Sequence, residues 1–382
     1  MIYLDNSATT YPKPVAVREM LRVGPVVYGA NPGRGGYPMS NSTALEIYKV
    51  RSKIAEFFGA ESEEQVVFTF NCTHALNLAI KGLAKKGGHA VTSCLEHNSV
   101  MRPLYKLRES GDFDFDIATV FSDDDKTVAS FESKIKSNTD FIVCTYASNV
   151  FGDILPVEKI GHLAKRYNIP LIVDAAQAAG IIDIDITRDN ISCLCMPGHK
   201  GLYGPVGTGV MLLSQNCFPD TIIEGGTGSE SKNLSQPEFL PDRFESGTLN
   251  TYGILALGKG IDFLKKNKID NIREHENELI YYLYKQFLNS DDVILYNEFF
   301  SEKFVPILSF NVINMQSELT ASILAKENIA VRGGFHCNPM AHKYYRTSHS
   351  GTVRASVSAF NKKSDINFLI NFVNKIAKIK KV

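Results

Sequence analysis

Between residues 65 and 215 the chain alternates nearly continuous apolar runs with helical stretches, and few folds accept that rhythm. The runs 65–70 (QVVFTF), 90–95, 113–120, 140–146, 170–174, 191–196 and 206–213 are rich in β-branched residues. Several are apolar almost throughout, as strands covered on both faces are. Helical patterns, such as 73–86 and 157–167, lie between them. A repeated β-then-α order predicts an α/β fold, a mostly parallel sheet joined by crossover helices.

The style changes after about residue 250. A helical pattern covers 251–289, a strand 305–313, a helix 318–327, strands 329–332 and 352–357, and a helix 364–379. This predicts a smaller α+β domain. The expected division is a large ligand-binding domain over 15–255, with 1–14 and 256–382 making the small one. A chain of 382 residues, about 2.5 average domains, buries a large core without staples. Lys plus Arg and Asp plus Glu are both 41, so no basic excess points to a nucleic-acid or anionic-membrane partner. No apolar run approaches ~18 residues, so no membrane span is expected. Met1-Ile2-Tyr3-Leu4-Asp5 has no basic stretch and no apolar run follows it, which is unlike an export signal. The seven cysteines are an odd number without framework spacing, and read as reduced thiols in a cytoplasm. Asp123-Asp124-Asp125 reads as a solvated loop or helix start.

The predicted strand ends collect polar residues. Open parallel sheets bind ligands at the carboxyl ends of their strands. After Phe70 come Asn71-Cys72-Thr73-His74, opening a helix. Thr73 there is either a helix cap or part of a phosphate site. After Leu95 come Glu96-His97-Asn98-Ser99, where His97 is a loop histidine or a ring-stacking or acid–base group. After Tyr146 a turn carries Asn149. The run 171–174 ends in Asp174, with Gln177 just beyond. A buried carboxylate needs a cation or hydrogen bonds, so Asp174 is a helix cap or the partner of a protonated ring nitrogen. After Met196 come Pro197-Gly198-His199-Lys200-Gly201 and then GPVGTG. Glycines let a ligand approach the backbone, and a desolvated lysine suits Schiff-base chemistry. Surface placement is the plainer reading of Lys200.

Other motifs fail. GILALGKG at 253–260 has Gly260 where a P-loop needs Ser or Thr, and its interior reads as helix. Cys193-x-Cys195 lacks a second ligand pair and reads as core packing. His336, Cys337 and His342 do not make a convincing metal set, because His-Cys adjacency in a strand points the side chains apart; no metal is expected.

Taken in order, His97, Asp174, Gln177, His199 and Lys200 make the set that holds pyridoxal 5'-phosphate. The histidine stacks on the ring, the aspartate keeps the ring nitrogen protonated, and the lysine forms the Schiff base. Thr73 and the glycines receive the phosphate, and the charged ring is an electron sink for a substrate carbanion. At this point the chain resembles class V aminotransferase-fold enzymes of the cysteine desulfurase family over nearly its whole length. The resemblance is carried by YLDNSATT, LEHNS, SNVFGD, VDAAQ, GHKGLYGPVGTG, RFESGTLN, VRGGFHC and GTVRAS. It implies PLP-dependent transferase fold type I, a homodimer with sites at the interface, and sulfur metabolism. It also implies that Thr248 reaches the partner subunit's phosphate and that Cys72 and His199 border the cofactor. By the same resemblance Asn149 contacts the substrate–cofactor adduct, Arg354 holds the substrate carboxylate, Arg332 belongs to the substrate-binding set, and Arg34 lines the site. A bidentate Arg–carboxylate pair suits an amino-acid substrate.

One departure matters. Where the family's VRAS-like ending carries the persulfide cysteine just before the arginine, this chain has Val353, and 342–352 contains no cysteine. Cys337 is a candidate substitute, though a strand-like context puts its reach in doubt. Pro197 and Cys72 also stand where the family commonly has Ser and Thr. The resemblance therefore implies an enzyme working through Lys200 at the α-carbon and C–S bond of L-cysteine or a related amino acid. A selenocysteine or cystine β-lyase, or an aminotransferase lacking the persulfide cysteine, stays open. So does a non-catalytic PLP-fold partner in sulfur or selenium delivery, and a sulfur-acceptor protein is a possible partner. Without an acceptor thiol, weak or absent persulfide transfer is expected.

Overall fold

The computed structural model describes residues 1–33, 35–296, 298–299 and 302–379. Strand β1 (Ile2–Tyr3) leads through a loop to helices α1 (Val15–Val27) and α2 (Pro38–Phe57). Then follow β2 (Val66–Thr69), α3 (Cys72–Leu83), β3 (Gly88–Ser93), α4 (Asn98–Glu109), β4 (Phe113–Ala118) and α5 (Asp124–Glu132). After these come β5 (Thr139–Thr145), α6 (Val157–Tyr167), β6 (Leu171–Asp174), β7 (Cys193–Pro197) and β8 (Gly209–Leu213). Strands β2 to β8 form one seven-stranded sheet in the order β2-β8-β7-β6-β5-β3-β4. Every neighbouring pair from β7 to β4 is parallel, whereas β8 runs antiparallel to both β2 and β7. The sheet is thus mostly parallel and buried on both faces, as the unbroken apolar runs require. Asp123 caps α5 by accepting from the amides of Asp125 (2.9 Å) and Lys126 (3.1 Å), the helix-start reading of the acidic triplet.

The remaining elements are α7 (Thr251–Asn267), α8 (Ile269–Leu288), β9 (Val293–Leu295), β10 (Ile307–Val312), α9 (Ser317–Lys326), β11 (Ile329–Ala330), α10 (Pro339–Tyr344), β12 (Val353–Ser356) and α11 (Lys363–Ile379). The helical pattern 251–289 is therefore two helices, broken at Lys268 with φ +62°. The break redirects the chain. Helix α7 sends Ile254, Leu257, Ile261 and Leu264 into the core of the seven-stranded sheet. Helix α8 sends Leu279, Ile280, Leu283 and Phe287 into a second core, with β10, β12 and α11. Strands β12, β10 and β9 form an antiparallel sheet. Strand β1 crosses to this side and pairs in parallel with β11. Among the described residues no helix is long and apolar enough to cross a membrane.

Candidate active site

The carboxyl ends of β2, β3, β5, β6 and β7 lie at one edge of the sheet, because β2, two antiparallel steps from β7, points the same way. A cavity of about 110 Å³ opens there, lined among others by Cys72, Thr73, His97, Asn149, Asp174, Gln177, His199 and Lys200. A larger groove of about 700 Å³ runs along α8, lined mainly by charged residues such as Asp270, Glu274 and Glu278. It is lined by none of these groups.

Asp174 is the last residue of β6 and only 3% exposed. Its Oδ1 accepts from the Ala176 amide (2.9 Å) and the Cys72 thiol (3.5 Å), so it closes a local turn. Among the described residues none of its hydrogen-bond partners is a cation. Burial raises its carboxyl above the usual range, opposed by the Ala176 amide and the charge of Lys200. Lys200 stands in the turn after β7. Burial lowers its ammonium, with the charge of Asp174 pulling the other way. The two groups form no ion pair within 4 Å, and both line the cavity.

His97 is the N-cap of α4. Its Nδ1 accepts from the Ser99 amide (3.0 Å) and lies 2.9 Å from Ser99 Oγ. Ser99 Oγ is in turn 2.8 Å from Thr73 Oγ1. Burial, then the positive charges of Lys200, Arg332, Arg102 and Arg354, bring His97 down to about 4. The ring is therefore neutral, and with Nδ1 accepting it carries its proton on Nε2. Thr73 does not cap α3. Asn71 does, accepting from the His74 amide at 2.9 Å, and this leaves Thr73 exposed at the helix start. His199 is half-buried and brought to about 4 by burial and by Lys200 and Lys13, and its Nδ1 has no partner. Gln177 donates from Nε2 to the Ser7 carbonyl at 3.1 Å.

The arginines differ. Arg354 is 1% exposed, with Nη1 on the Asn149 carbonyl (2.8 Å), Nη2 on Asp5 (2.7 Å) and a buried Nε without a partner. Arg332 is half-buried, and its Nη2 lies 3.7 Å from Cys337 Sγ. Arg34 lies outside the described residues. Thr248 is exposed in the loop before α7 and does not line the cavity of its own chain. Ahead of it, Glu245 is buried in a bidentate pair with Arg51.

Cys337 is not in a strand, contrary to its strand-like sequence context. His336 and Cys337 both take left-handed conformations, φ +50° and +56°, in a turn between β11 and α10. The turn leaves Cys337 exposed. It is held by three contacts. The Asn98 amide donates to the Cys337 carbonyl (2.9 Å), Asn338 Nδ2 to the Leu95 carbonyl (2.8 Å), and Asn149 Nδ2 to the His336 carbonyl (2.7 Å). Cys337 thus sits beside the residue that follows His97. Val353, by contrast, opens β12, is fully buried and pairs with Phe310. Among the described residues no three His, Cys, Asp or Glu side chains are placed to hold a metal.

Several residues here escaped the sequence reading. Asn338 binds both the β3–α4 loop and Asn149 Oδ1 (2.8 Å), and its signal is an Asn-Pro helix start. Ser99 orients His97 from two positions on. Asp5, in YLDNSATT, meets Arg354 across the whole chain, a pairing that local pattern does not carry.

A strand-end lysine, a buried aspartate without a cation and a neutral histidine meet at this cavity, the kinds of group a pyridoxal-phosphate site needs. The comparisons agree. Residues 2–369 match the family model described as "Aminotransferase class-V", and the chain belongs to that family. Its cofactor is pyridoxal phosphate, and the chain is an enzyme that uses it. More narrowly, a probable cysteine desulfurase of Methanothermobacter thermautotrophicus is 33% identical over 98% of this chain and 94% of its own. A cysteine desulfurase of Wigglesworthia glossinidia brevipalpis is 30% identical over 100% and 93%. The apo structure of cysteine desulfurase from Thermococcus onnurineus superposes with TM-score 0.89 at 30% identity, covering 99% of this chain and 94% of that one. The cysteine desulfurase CsdA of Escherichia coli, at 21% identity and TM-score 0.87 over 99% and 95%, shares the fold.

The residues present fit the cofactor. Asp174 offers a buried anion with no cation bonded to it, as a protonated ring nitrogen requires. Lys200 offers an amine with no hydrogen-bond partner among the described residues. The first turn of α3 offers amides without intrahelical acceptors.

Proposed function

We propose that the chain cleaves the C–S bond of L-cysteine, or the related bond of cystine or selenocysteine, as a cytoplasmic homodimer. The observation that carries this is the meeting of Lys200, Asp174 and neutral His97 at one cavity. Bound there, pyridoxal phosphate supplies an electron sink for the pair left at the substrate α-carbon.

Each group of the chain has a share. Lys200 is the covalent anchor and, once released, the base that takes the α-proton. Burial lowers its ammonium, which favours the free amine that this step needs. Asp174 holds the proton at the ring nitrogen. Gln177 is the partner for the ring oxygen. Neutral His97, fixed by Ser99, presents a flat uncharged face to the ring. Thr73 and the α3 amides take the phosphate, helped by the partner subunit through its Thr248. Arg332, with the unpartnered Nε of Arg354, binds the substrate carboxylate, and Asn149 lies against the substrate. Seven free thiols and the absence of any disulfide among the described residues support a reducing compartment.

The fate of the sulfur depends on a thiol. Val353 offers none. Without an acceptor, the α-carbanion expels sulfide with the C–S electron pair, and hydrolysis yields pyruvate and ammonia. The exposed turn beside His97 favours a second route through Cys337. There the thiolate forms an S–S bond to the substrate sulfur as the C–S bond breaks. The C–S pair passes to the β-carbon, which takes a proton and leaves as alanine. The persulfide then passes to an acceptor protein or thiol.

The test is incubation of the purified holoenzyme with cysteine, cystine and selenocysteine, measuring sulfide or selenide, alanine and pyruvate. No cleavage of any of the three overturns the reading, as does a borohydride-fixed cofactor on a lysine other than Lys200. Cys337→Ala separates the routes. Selective loss of alanine makes Cys337 the acceptor, whereas unchanged cleavage to pyruvate leaves the route acceptor-free.

A further inference from the structure

The turn that carries Lys200 is gripped from outside by the loop between β1 and α1. The His199 carbonyl receives the Thr10 amide (3.1 Å), Thr9 Oγ1 (3.0 Å) and Lys13 Nζ (2.6 Å). Thr10 Oγ1 lies 3.1 Å from the Lys200 carbonyl and 3.3 Å from that of His199, and accepts from Lys13 Nζ at 2.6 Å. A hydroxyl has one proton to give, so Thr10 donates to the nearer Lys200 carbonyl while Lys13 supplies its lone-pair side. The Lys200 carbonyl also takes the Tyr203 amide at 2.8 Å. Both carbonyls that flank the root of the Lys200 side chain are therefore tied down, and among the described residues Lys13 is the one cation on them.

That cation is costly where it stands. Lys13 is half-buried and has no carboxylate within 4 Å among the described residues, so its charge is held only by a carbonyl and a hydroxyl. Burial alone lowers its ammonium to about 7. A neutral donor would satisfy the same carbonyl without that cost. An ammonium holds it more tightly, because charge-assisted hydrogen bonds are shorter and roughly twice as strong as neutral ones.

We propose that Lys13 is a positioning residue, whose ammonium on the His199 carbonyl fixes the root of Lys200 for proton transfer. The inference builds on the reading of Lys200 as the cofactor lysine. Lys13 touches neither cavity nor substrate, and acts only through the His199–Lys200 peptide group. Its contribution therefore belongs in kcat rather than KM.

The experiment compares wild type, Lys13→Met, Lys13→Gln and Lys13→Arg. In the cofactor-free proteins, amide hydrogen exchange is followed over peptides spanning residues 198–204. In the cofactor-loaded proteins, kcat and KM for cysteine are measured at saturating cofactor. Lys13→Met and Lys13→Gln should lose exchange protection over 198–204, with protection elsewhere unchanged. They should lose roughly 10- to 100-fold in kcat at near-constant KM, the cost of a displaced catalytic group. Lys13→Arg, which keeps a cation, should recover most of both. Unchanged protection or kcat in Lys13→Met overturns the proposal, as does a Lys13→Gln variant equal to Lys13→Arg. Borohydride reduction of wild type keeps the two readings apart. Label on Lys200 with no effect at Lys13 rejects this inference alone, whereas label elsewhere rejects the assignment of Lys200.

Discussion

Removing the carboxylate of Glu245 should cost more stability than any surface ion pair on the molecule. Glu245 and Arg51 are 8% and 7% exposed and bind as a fork, both N–O distances 2.8 Å. Glu245 Oε1 also accepts from the Phe68 amide at 2.7 Å, and the Arg51 guanidinium lies 4.6 Å from the centre of the Phe68 ring. In Glu245→Ala the guanidinium stays buried without its anion. Breaking one side of such a pair costs about 3–5 kcal/mol. The orphaned Phe68 amide is worth about 1–3 kcal/mol more when nothing replaces its acceptor. The expected loss is therefore near the top of the pair range, about 5 kcal/mol, against roughly 0–1 kcal/mol for an exposed pair such as Arg22–Glu19. The chain has no tryptophan, so urea unfolding is best followed by circular dichroism, with the paired variant Arg51→Met/Glu245→Met alongside. The double variant buries no lone charge and should lose less than Glu245→Ala alone. A single-variant loss below about 1 kcal/mol, or a double-variant loss equal to the sum of the singles, refutes the account.

Four further outcomes are expected. Glu96 is fully buried, and burial raises it to about 8, so the folded chain keeps a proton that the unfolded chain loses from about pH 4.5 upward. Stability should therefore fall between about pH 4.5 and 8, and Glu96→Gln should flatten that slope in thermal melts, gaining most at pH 8; an unchanged slope contradicts the burial argument. The His97 ring should show the neutral Nε2–H form by nitrogen NMR from pH 6 to 8, and a midpoint above 6 would remove the desolvated environment assigned to it. Val353→Cys should not increase alanine yield, because position 353 is fully buried and laddered to Phe310, and it should cost less than about 1.5 kcal/mol in urea melts; a persulfide at 353 detected by mass spectrometry would overturn this. Asp174→Ala should cut turnover far more than cofactor content measured by absorbance, and near-native turnover would take Asp174 out of the mechanism.

The runs 170–174 and 191–196 were legible as strands because burial on both faces writes itself directly into composition. The direction of β8 was not, since an apolar run has no polarity; only its place between β2 and β7 shows it antiparallel. The break at Lys268 escaped because neither glycine nor proline marks it, and the left-handed residue there is a lysine. The turn at His336–Cys337 escaped because the residues that take its left-handed conformations are a histidine and a cysteine rather than glycines. That Asp174, His97 and Lys200 gather at one edge of the sheet was legible because strand ends are local. The grip of Asp5 on Arg354 and of Lys13 on His199 joins segments far apart in the chain, and no periodicity reports such contacts.

The loop between β1 and α1 also bears on the order in which the molecule assembles. Ile2 and Tyr3 pair with Ile329 and Ala330, Asn6 donates to the Ser356 carbonyl at 3.0 Å, and Asp5 waits for Arg354. On the ribosome these partners emerge more than 300 residues after the loop itself. The seven-stranded sheet has all its strands once residue 213 is out, while the loop that holds the lysine turn still lacks its far anchors. Closing so long a segment is slow rather than prohibitive, because the entropic cost grows only with the logarithm of length. A growing chain should therefore reach a sheet-containing state that takes up cofactor poorly, and capture it firmly only when β11 and β12 have been made.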